Sequence, residues 1–404
     1  MSIYIIRSKS LAATRASAAT ARRLSGSRRQ AQVAEVLSLR MDDPADQEIQ
    51  RWVADAHGVG VQKISHGERS TPVTGTVIVE MPDAEAERLR REVRDVSVMR
   101  DQALELIRPE RATLGRIHQV TTEELWHLRA IGLDAARSDG FQGSGSGVTV
   151  AVLDTGIDAT HAELTGKVDG AYTFNVQSWQ AEAQASSIDT EGHGTHVAGL
   201  ICGTTIGVAP GARVINGMML PQGVGKLSNF ILALEWAAQR PEVQIVNMSA
   251  GLPGYLPEMR EAVADLLSVG VLFICATGNE GRNRTRSPGN YIEALSVGAV
   301  DSRGRVASFS SSGILVADHH QYIVPDLVAP GEAVYSSVMG GGYEAWNGTS
   351  MATPIVAGVA ALILEKYPEI TVIELEEAIL STCSSLASSP DRQGRGLLQV
   401  KAAL

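Results

Sequence analysis

Three polar residues sit where side-chain chemistry is expected. The apolar run VAVLD ends in Asp154 and is followed by TGID, EGHGTHVAG sets His193 between glycines, and NGTSMATPIVAG sets Ser350 at a loop-to-helix junction. A serine hydroxyl is a poor nucleophile unless an imidazole takes its proton, and that imidazole needs a carboxylate to fix its tautomer and stabilise the imidazolium. Asp154, His193 and Ser350 are those parts, and the small residues Gly156, Gly192, Gly194, Gly348 and Ala352 let a peptide and neighbouring backbones come close. The order Asp, His, Ser is neither the His, Asp, Ser order of the chymotrypsin type nor the Ser, acid, His order of α/β-hydrolases, and GTSMA lacks the second glycine of the GxSxG elbow.

Other motif echoes fail on their own chemistry. HGTH, with His193 and His196, lacks the HExxH spacing and its glutamate, which leaves no zinc site there. GVGKLS lacks the first glycine and the hydroxyl residue directly after lysine that a phosphate-binding loop needs, and GSGSG precedes a strand where a dinucleotide fingerprint would follow one. Cys202 and Cys275 lie in apolar stretches and read as small core residues; Cys383 has no reading.

The elements that must hold these residues follow from the apolar pattern. From Val148 onward, short unbroken apolar strands (VTVAVLD, ARVINGMML, VQIVNMSA, VLFICATGN, ALSVGAV) alternate with helical stretches such as FILALEWAAQR, MREAVADLLSVG and PIVAGVAALILEKY. That pattern predicts an α/β, doubly wound, mostly parallel sheet with helices on both faces, its chemistry at the carboxyl ends of the strands. Residues 148–404 form this domain. Residues 33–109 read as a small α+β βαββαβ unit with strands at VAEVLSLRM, VQKIS, TVIVEM and ALELIRP and helices at PADQEIQRWVADAHG and PDAEAERLRREVR. Residues 110–147 are a linker and the start of the next domain, with a helix in TEELWHLRAIGLDAARSDG, and residues 1–32 read as a basic N-terminal tail or a short strand and helix.

Composition excludes several classes. The chain has 404 residues, 44% of them hydrophobic and 20% charged, so its bulk is globular. A net charge of -10 and 4% aromatic residues give neither the basic footprint nor the stacking platform of a nucleic-acid binder. No uninterrupted apolar run reaches the ~18 residues of a membrane span. Three cysteines make no disulfide framework, and Ile3 to Ile6 precede the arginines, the reverse of a secretory signal. The expectation is a cytoplasmic protein; the Arg-, Ser- and Ala-rich start keeps an organellar address, or non-classical export, as the alternative.

VAVLDTGID, HGTHVAG and NGTSMATPIVAG resemble, in order, the three active-site signatures of the subtilisin-like serine proteases (subtilases), over roughly residues 145–400. The resemblance implies Ser350 as nucleophile, His193 as general base and then acid, and Asp154 as its orienting partner. ATGNEG implies Asn279 as the oxyanion-hole amide beside the Ser350 backbone N–H. NMSAG implies a substrate-pairing strand with Ser249, Ala250 and Gly251, and GVGKLS the opposite edge with Gly223, Val224 and Gly225. An extended peptide or protein would lie between them. Arg282, Arg284 and Arg286 are read either as a rim favouring acidic groups or as solvated surface charge.

The chemistry requires no cofactor. The loop that supplies calcium ligands in the family's calcium-binding members is missing from VAGLICGTTIGVAP, and Glu163 stands where their aspartate would, so structural calcium is doubtful. By the same resemblance the βαββαβ unit is a propeptide-like inhibitor domain of ferredoxin-like topology. The chain's own N-terminal pro-domain is then a partner, and LELIRPERATLGR predicts self-cleavage between Ile107 and Gln119. The function expected is a serine endopeptidase acting through an acyl-enzyme. The alternatives are a dedicated maturation protease for one partner and a catalytically silent peptide-binding module.

Overall fold

The structure, a computed structural model, describes residues 1–8, 27–41, 43–57, 70–71 and 73–400. Its centre is an eight-stranded sheet in the order Leu327–Pro330, Leu295–Val300, Leu272–Ala276, Val243–Met248, Thr149–Asp154, Arg213–Met218, Val168–Asn175 and Gln180–Ala183. Neighbours run parallel except for the last pair, which is antiparallel.

The apolar runs are continuous because both faces are covered. Val150, Val152, Ile245, Leu272 and Ile274 enter one core with helices His193–Cys202, Thr349–Lys366 and Val372–Ser381. Their neighbours Ala151, Leu153, Val246, Phe273 and Cys275 enter a second core with helices Leu227–Ala238 and Arg260–Ser268. Successive side chains of a strand point to opposite faces, so no polar alternation is possible here. The expected doubly wound α/β fold is what the chain forms. Helix Thr349–Lys366 has the length and apolarity of a membrane span, but 89% of it is buried inside this fold.

The N-terminal unit is a four-stranded antiparallel sheet in the order Ser70–Thr71, Thr76–Met81, Ser2–Ser8, Val96–Arg100. Tyr4 and Ile6 face a core shared with helices Pro44–His57 and Asp83–Glu92, whereas Ile5 and Ile78 face the second core of the large domain, which contains Phe230 and Leu266. Three expectations are corrected here. The opening residues are not all tail: Ser2–Ser8 is an inner strand, and buried Arg7 reaches Asp265 (2.9 Å) and Glu261 (3.1 Å). VAEVLSLRM belongs to helix Ser27–Met41, because Val33, Val36 and Leu37, spaced three and four apart, pack on one face. ALELIRP does not join the N-terminal sheet; VSVMR takes that place, and Ala103–Leu106 leaves for the groove described below. The strand expected at Val61–Ser65 lies outside the described residues. The single helix expected after Glu123 is two, Trp126–Ala130 and Leu133–Ser138, parted at Gly132 (φ 74°).

Candidate active site

Each of the three polar residues sits at a junction. Asp154 is the last residue of the strand Thr149–Asp154, at the carboxyl edge of the sheet, where ligands bind in such folds. His193 opens its helix after Gly192 (φ 101°), and the helix start is held by Asp189, whose carboxylate accepts the N–H groups of Gly192 and Thr195 and the Thr195 hydroxyl. Gly194 is obligatory: a Cβ there would lie 2.0 Å from the Gly156 carbonyl oxygen. Ser350 is the second residue of helix Thr349–Lys366, so its N–H has no intrahelical acceptor and lies at the positive end of the helix dipole.

His193 Nδ1 donates to Asp154, with 2.7 Å to Oδ1 and 2.9 Å to Oδ2, and both residues are fully buried. Burial works against a charged imidazole, but the adjacent Asp154 carboxylate outweighs it and holds the His193 pKa above its ordinary 6.5. With Nδ1 donating, Nε2 is the basic nitrogen, and it is buried with no hydrogen-bond partner among the described residues. Ser350 Oγ does not bond Nε2 here: it donates to the Ile107 carbonyl at 2.9 Å. Asp154 and His193 are joined, and Ser350 is turned toward the chain's own N-terminal segment.

That segment fills the groove. Strand Ala103–Leu106 lies antiparallel between Val224–Lys226 and Ala250–Pro253, pairing Val224 with Glu105, Gly225 with Leu104, Ala250 with Leu106 and Gly251 with Glu105. The Ile107 N–H continues the ladder to the Ser249 carbonyl at 3.0 Å. A Cβ on Gly223 would lie 2.6 Å from the Arg108 guanidinium, which itself reaches Glu191 at 2.8 Å. Gly223, Val224, Gly225, Ser249, Ala250 and Gly251 therefore all flank an extended peptide. Asn279 Oδ1 accepts the Thr349 N–H (2.9 Å) and hydroxyl (3.0 Å), which turns Nδ2 onto the Arg108 carbonyl at 3.1 Å.

Residues 145–396 match the model of the subtilase family. The chain belongs to the subtilase family. Subtilisin Savinase of Lederbergia lenta is 37% identical over 284 residues, 69% of this chain and 97% of that protein. Subtilisin E of Bacillus subtilis is 36% identical over 71% of this chain and 72% of its own length. An intracellular serine protease of Paenibacillus polymyxa is 38% identical over 65% and 81%. The protein is thus a subtilisin-like serine endopeptidase, a hydrolase of peptide or protein substrates.

At the rim, two of the three arginines read as either an acid-favouring edge or surface charge are held in ion pairs, and Arg284 is exposed. Arg286 is held by Glu280 at 2.5 Å and by the Gly251 carbonyl at 3.0 Å, and Arg282 by Asp391 at 2.8 Å. A cavity of about 440 Å³ beside the inserted strand, lined in part by Asn279, Glu280, Arg286 and Phe309, so presents a paired charge and not a free cation.

The corner at Glu163 is closed by protein donors. Its buried carboxylate accepts the Thr205 N–H at 2.7 Å and the Tyr343 hydroxyl at 2.8 Å, with the Ile206 N–H at 3.5 Å. Among the described residues no three His, Cys, Asp or Glu side chains gather as a metal group. Cys202 and Cys275 are buried in the core with thiol pKa values raised by burial, as their apolar settings suggested.

Asp189, Thr349 and Glu163 were not singled out for these contacts from sequence. Asp189 stands four residues before His193, a spacing that suits a helix-start carboxylate, but Thr349 and Glu163 act on partners 70 or more and about 40 to 180 residues away.

Proposed function

We propose that this subtilase is a proenzyme that cuts its own chain between Ile107 and Arg108 and thereafter cleaves extended peptides through an acyl-enzyme. The observation that carries the reading is the chain's own Ala103–Arg108 in the groove, with the Ile107 carbonyl on Ser350 Oγ and the Arg108 carbonyl on Asn279 Nδ2. The N-terminal unit, from the strand Ser2–Ser8 to Leu106, would be the pro-domain, and the mature enzyme would begin at Arg108.

The two donors meet adjacent carbonyls, so neither carbonyl is held by both, and a slight slip of the chain must precede attack. Rotation about the Ser350 Cα–Cβ bond turns Oγ–H toward Nε2 of His193. As Oγ bonds to the Ile107 carbonyl carbon, Nε2 takes the proton and Asp154 stabilises the imidazolium. The oxyanion is met by Asn279 Nδ2 and the Ser350 N–H. On collapse the Arg108 nitrogen leaves with the proton from Nε2, and water repeats the sequence on the acyl-enzyme.

No calcium enters this reading. A hard cation needs about six to eight oxygen ligands, and the Glu163 oxygens already face N–H and O–H donors whose positive ends repel a cation. The residues present do not fit the ion at that corner.

Intact mass of wild type and Ser350→Ala tests self-cutting. Expected are a fragment beginning at Arg108 in wild type and an uncut chain in the variant; equal full-length masses in both would refute it. Fluorophosphonate labelling that is lost in Ser350→Ala separates a working nucleophile from a silent peptide binder, and a proteome-wide cleavage profile separates a general protease from one dedicated to a single partner.

A further inference from the structure

We infer that Glu344 and Trp346, on the strand Tyr343–Asn347, form a subsite for a basic side chain on the leaving-group side of the cut, selecting substrates with arginine at the place Arg111 holds here. The inference rests on the peptidase reading and adds a substrate class to it.

After Arg108 the chain passes over Gly348, where Pro109 Cβ lies 3.1 Å from where a Cβ would stand. It then pairs antiparallel with Tyr343–Asn347, Glu110 opposite Asn347 and Arg111 opposite Trp346, and the Ala112 N–H reaches the Ala345 carbonyl at 2.8 Å. Directly opposed residues share a face, and Glu344 lies two positions along on that same face. The Arg111 guanidinium sits over the Trp346 ring, 5.6 Å from its centroid, with Nε 3.7 Å from Glu344. The chain then turns back so that Ile117 bridges Tyr343, and Arg116 Nε donates to Glu344 Oε1 at 2.8 Å.

The receiving side is built and the arriving side is free. Glu344 is 13% exposed and Trp346 4%, against 68% for the Arg111 side chain. Trp346 Nε1 donates to Glu344 Oε2, and its ring stacks on His196 at 4.4 Å and more distantly on His193. Burial raises the Glu344 pKa, but the Arg116 and Trp346 hydrogen bonds and both arginine charges outweigh it, so the carboxyl stays ionised in the neutral range. A shielded carboxylate beside an aromatic face suits a planar guanidinium better than a neutral or acidic side chain. Because Arg111 is largely exposed, the gain is modest: about fivefold in kcat/KM, ~1 kcal/mol at tenfold per ~1.4 kcal/mol.

Two measurements test it. Quenched peptides carrying residues 103–112 of this chain, with Arg, Gln or Glu at the place of Arg111, are given to the wild-type full chain and to Glu344→Gln. Arg is expected to exceed Gln by about fivefold in wild type, and the ratio to fall toward one in the variant. Equal rates in wild type, or a ratio that survives the substitution, overturn the subsite. Amide exchange at Ala112, compared between Ser350→Ala and Ser350→Ala/Arg111→Gln, needs no cleavage and leaves the Arg116 contact in place: faster exchange in the double variant supports the subsite and unchanged exchange overturns it. Peptides left uncut by wild type would count against the peptidase reading, and the subsite would then be decided by exchange alone.

Discussion

Glu163→Ala is the perturbation whose size is most directly fixed by the geometry. The buried carboxylate holds the Thr205 N–H at 2.7 Å and the Tyr343 hydroxyl at 2.8 Å, tying the loop after the histidine helix to the strand that runs into Ser350. Hydrogen bonds to a charged group contribute about 1.5–3 kcal/mol each, and the lower figure applies because Thr205 is exposed and water can reach its N–H. Two such bonds give roughly 3 kcal/mol, and at about 2–4 °C per kcal/mol for a domain of this class the midpoint should fall by about 6–12 °C. Tyr343→Phe removes one of the two bonds and should give about half of that. The assay is thermal unfolding at one fixed scan rate, in the Ser350→Ala background so that autolysis does not set the midpoint, with chelator and with added calcium. A fall of less than about 2 °C in Glu163→Ala would show that the carboxylate is not a structural tie. A chelator that lowers the parent as far as the substitution does would show that a cation holds this corner after all.

Two more predictions follow from the buried groups. His193 can act as a base only when neutral, and Asp154 holds its pKa above 6.5 against burial; the acid limb of kcat/KM should therefore have its midpoint above pH 6.5 and move down in Asp154→Asn, and a midpoint that ignores the substitution would sink the pairing. Glu235 is buried and accepts the N–H groups of Val73 (3.0 Å) and Thr74 (2.8 Å) from the N-terminal unit; in Ser350→Ala/Glu235→Ala those amides should exchange at least about tenfold faster, as loss of ~1.4 kcal/mol or more implies, and an unchanged rate would mean that the remaining contacts, the Arg7 ion pairs among them, hold the unit without Glu235.

What the sequence made legible divides along a physical line. Asp154, His193, Asn279 and Ser350 were legible because each stands among glycines and small residues, Asp154 and Asn279 at or just after the end of an apolar strand and His193 and Ser350 at the start of an apolar helix, and close backbone approach demands those residue types within a few positions. The groove strands were legible in part, since Gly225 and Gly251 are small where another chain must pass: a Cβ would lie 2.3 Å from the Met219 carbonyl oxygen and 2.7 Å from the Ser287 carbonyl oxygen. The strand Ser2–Ser8 was offered only as an alternative to a tail, because a strand buried on both faces shows no alternation and this one is followed by arginines. VAEVLSLRM offered apolar positions to either period, and only packing against the second core of the large domain selects the helix.

The partition of ALELIRP from its own sheet shows where local reading ends. Nothing within those residues distinguishes a strand that completes the N-terminal sheet from one that adds to the groove, since both need an extended apolar segment with free N–H and C=O groups. What decides is that the fourth place is taken by Val96–Arg100, leaving Ala103–Leu106 to satisfy its backbone against Val224–Lys226 and Ala250–Pro253. Glu344 follows the same rule: one carboxylate in GGGYEAWNGTS has no local signature, and it acquires its arginine partners only because the continuation of that inserted strand, from Glu110 to Ile117, is laid along it. A segment that satisfies its own backbone along the groove would, on the proposed self-cutting, be the enzyme's first substrate, and the side chains it brings, Arg108 against Glu191 and Arg111 and Arg116 against Glu344, are the natural starting set for mapping what the groove accepts.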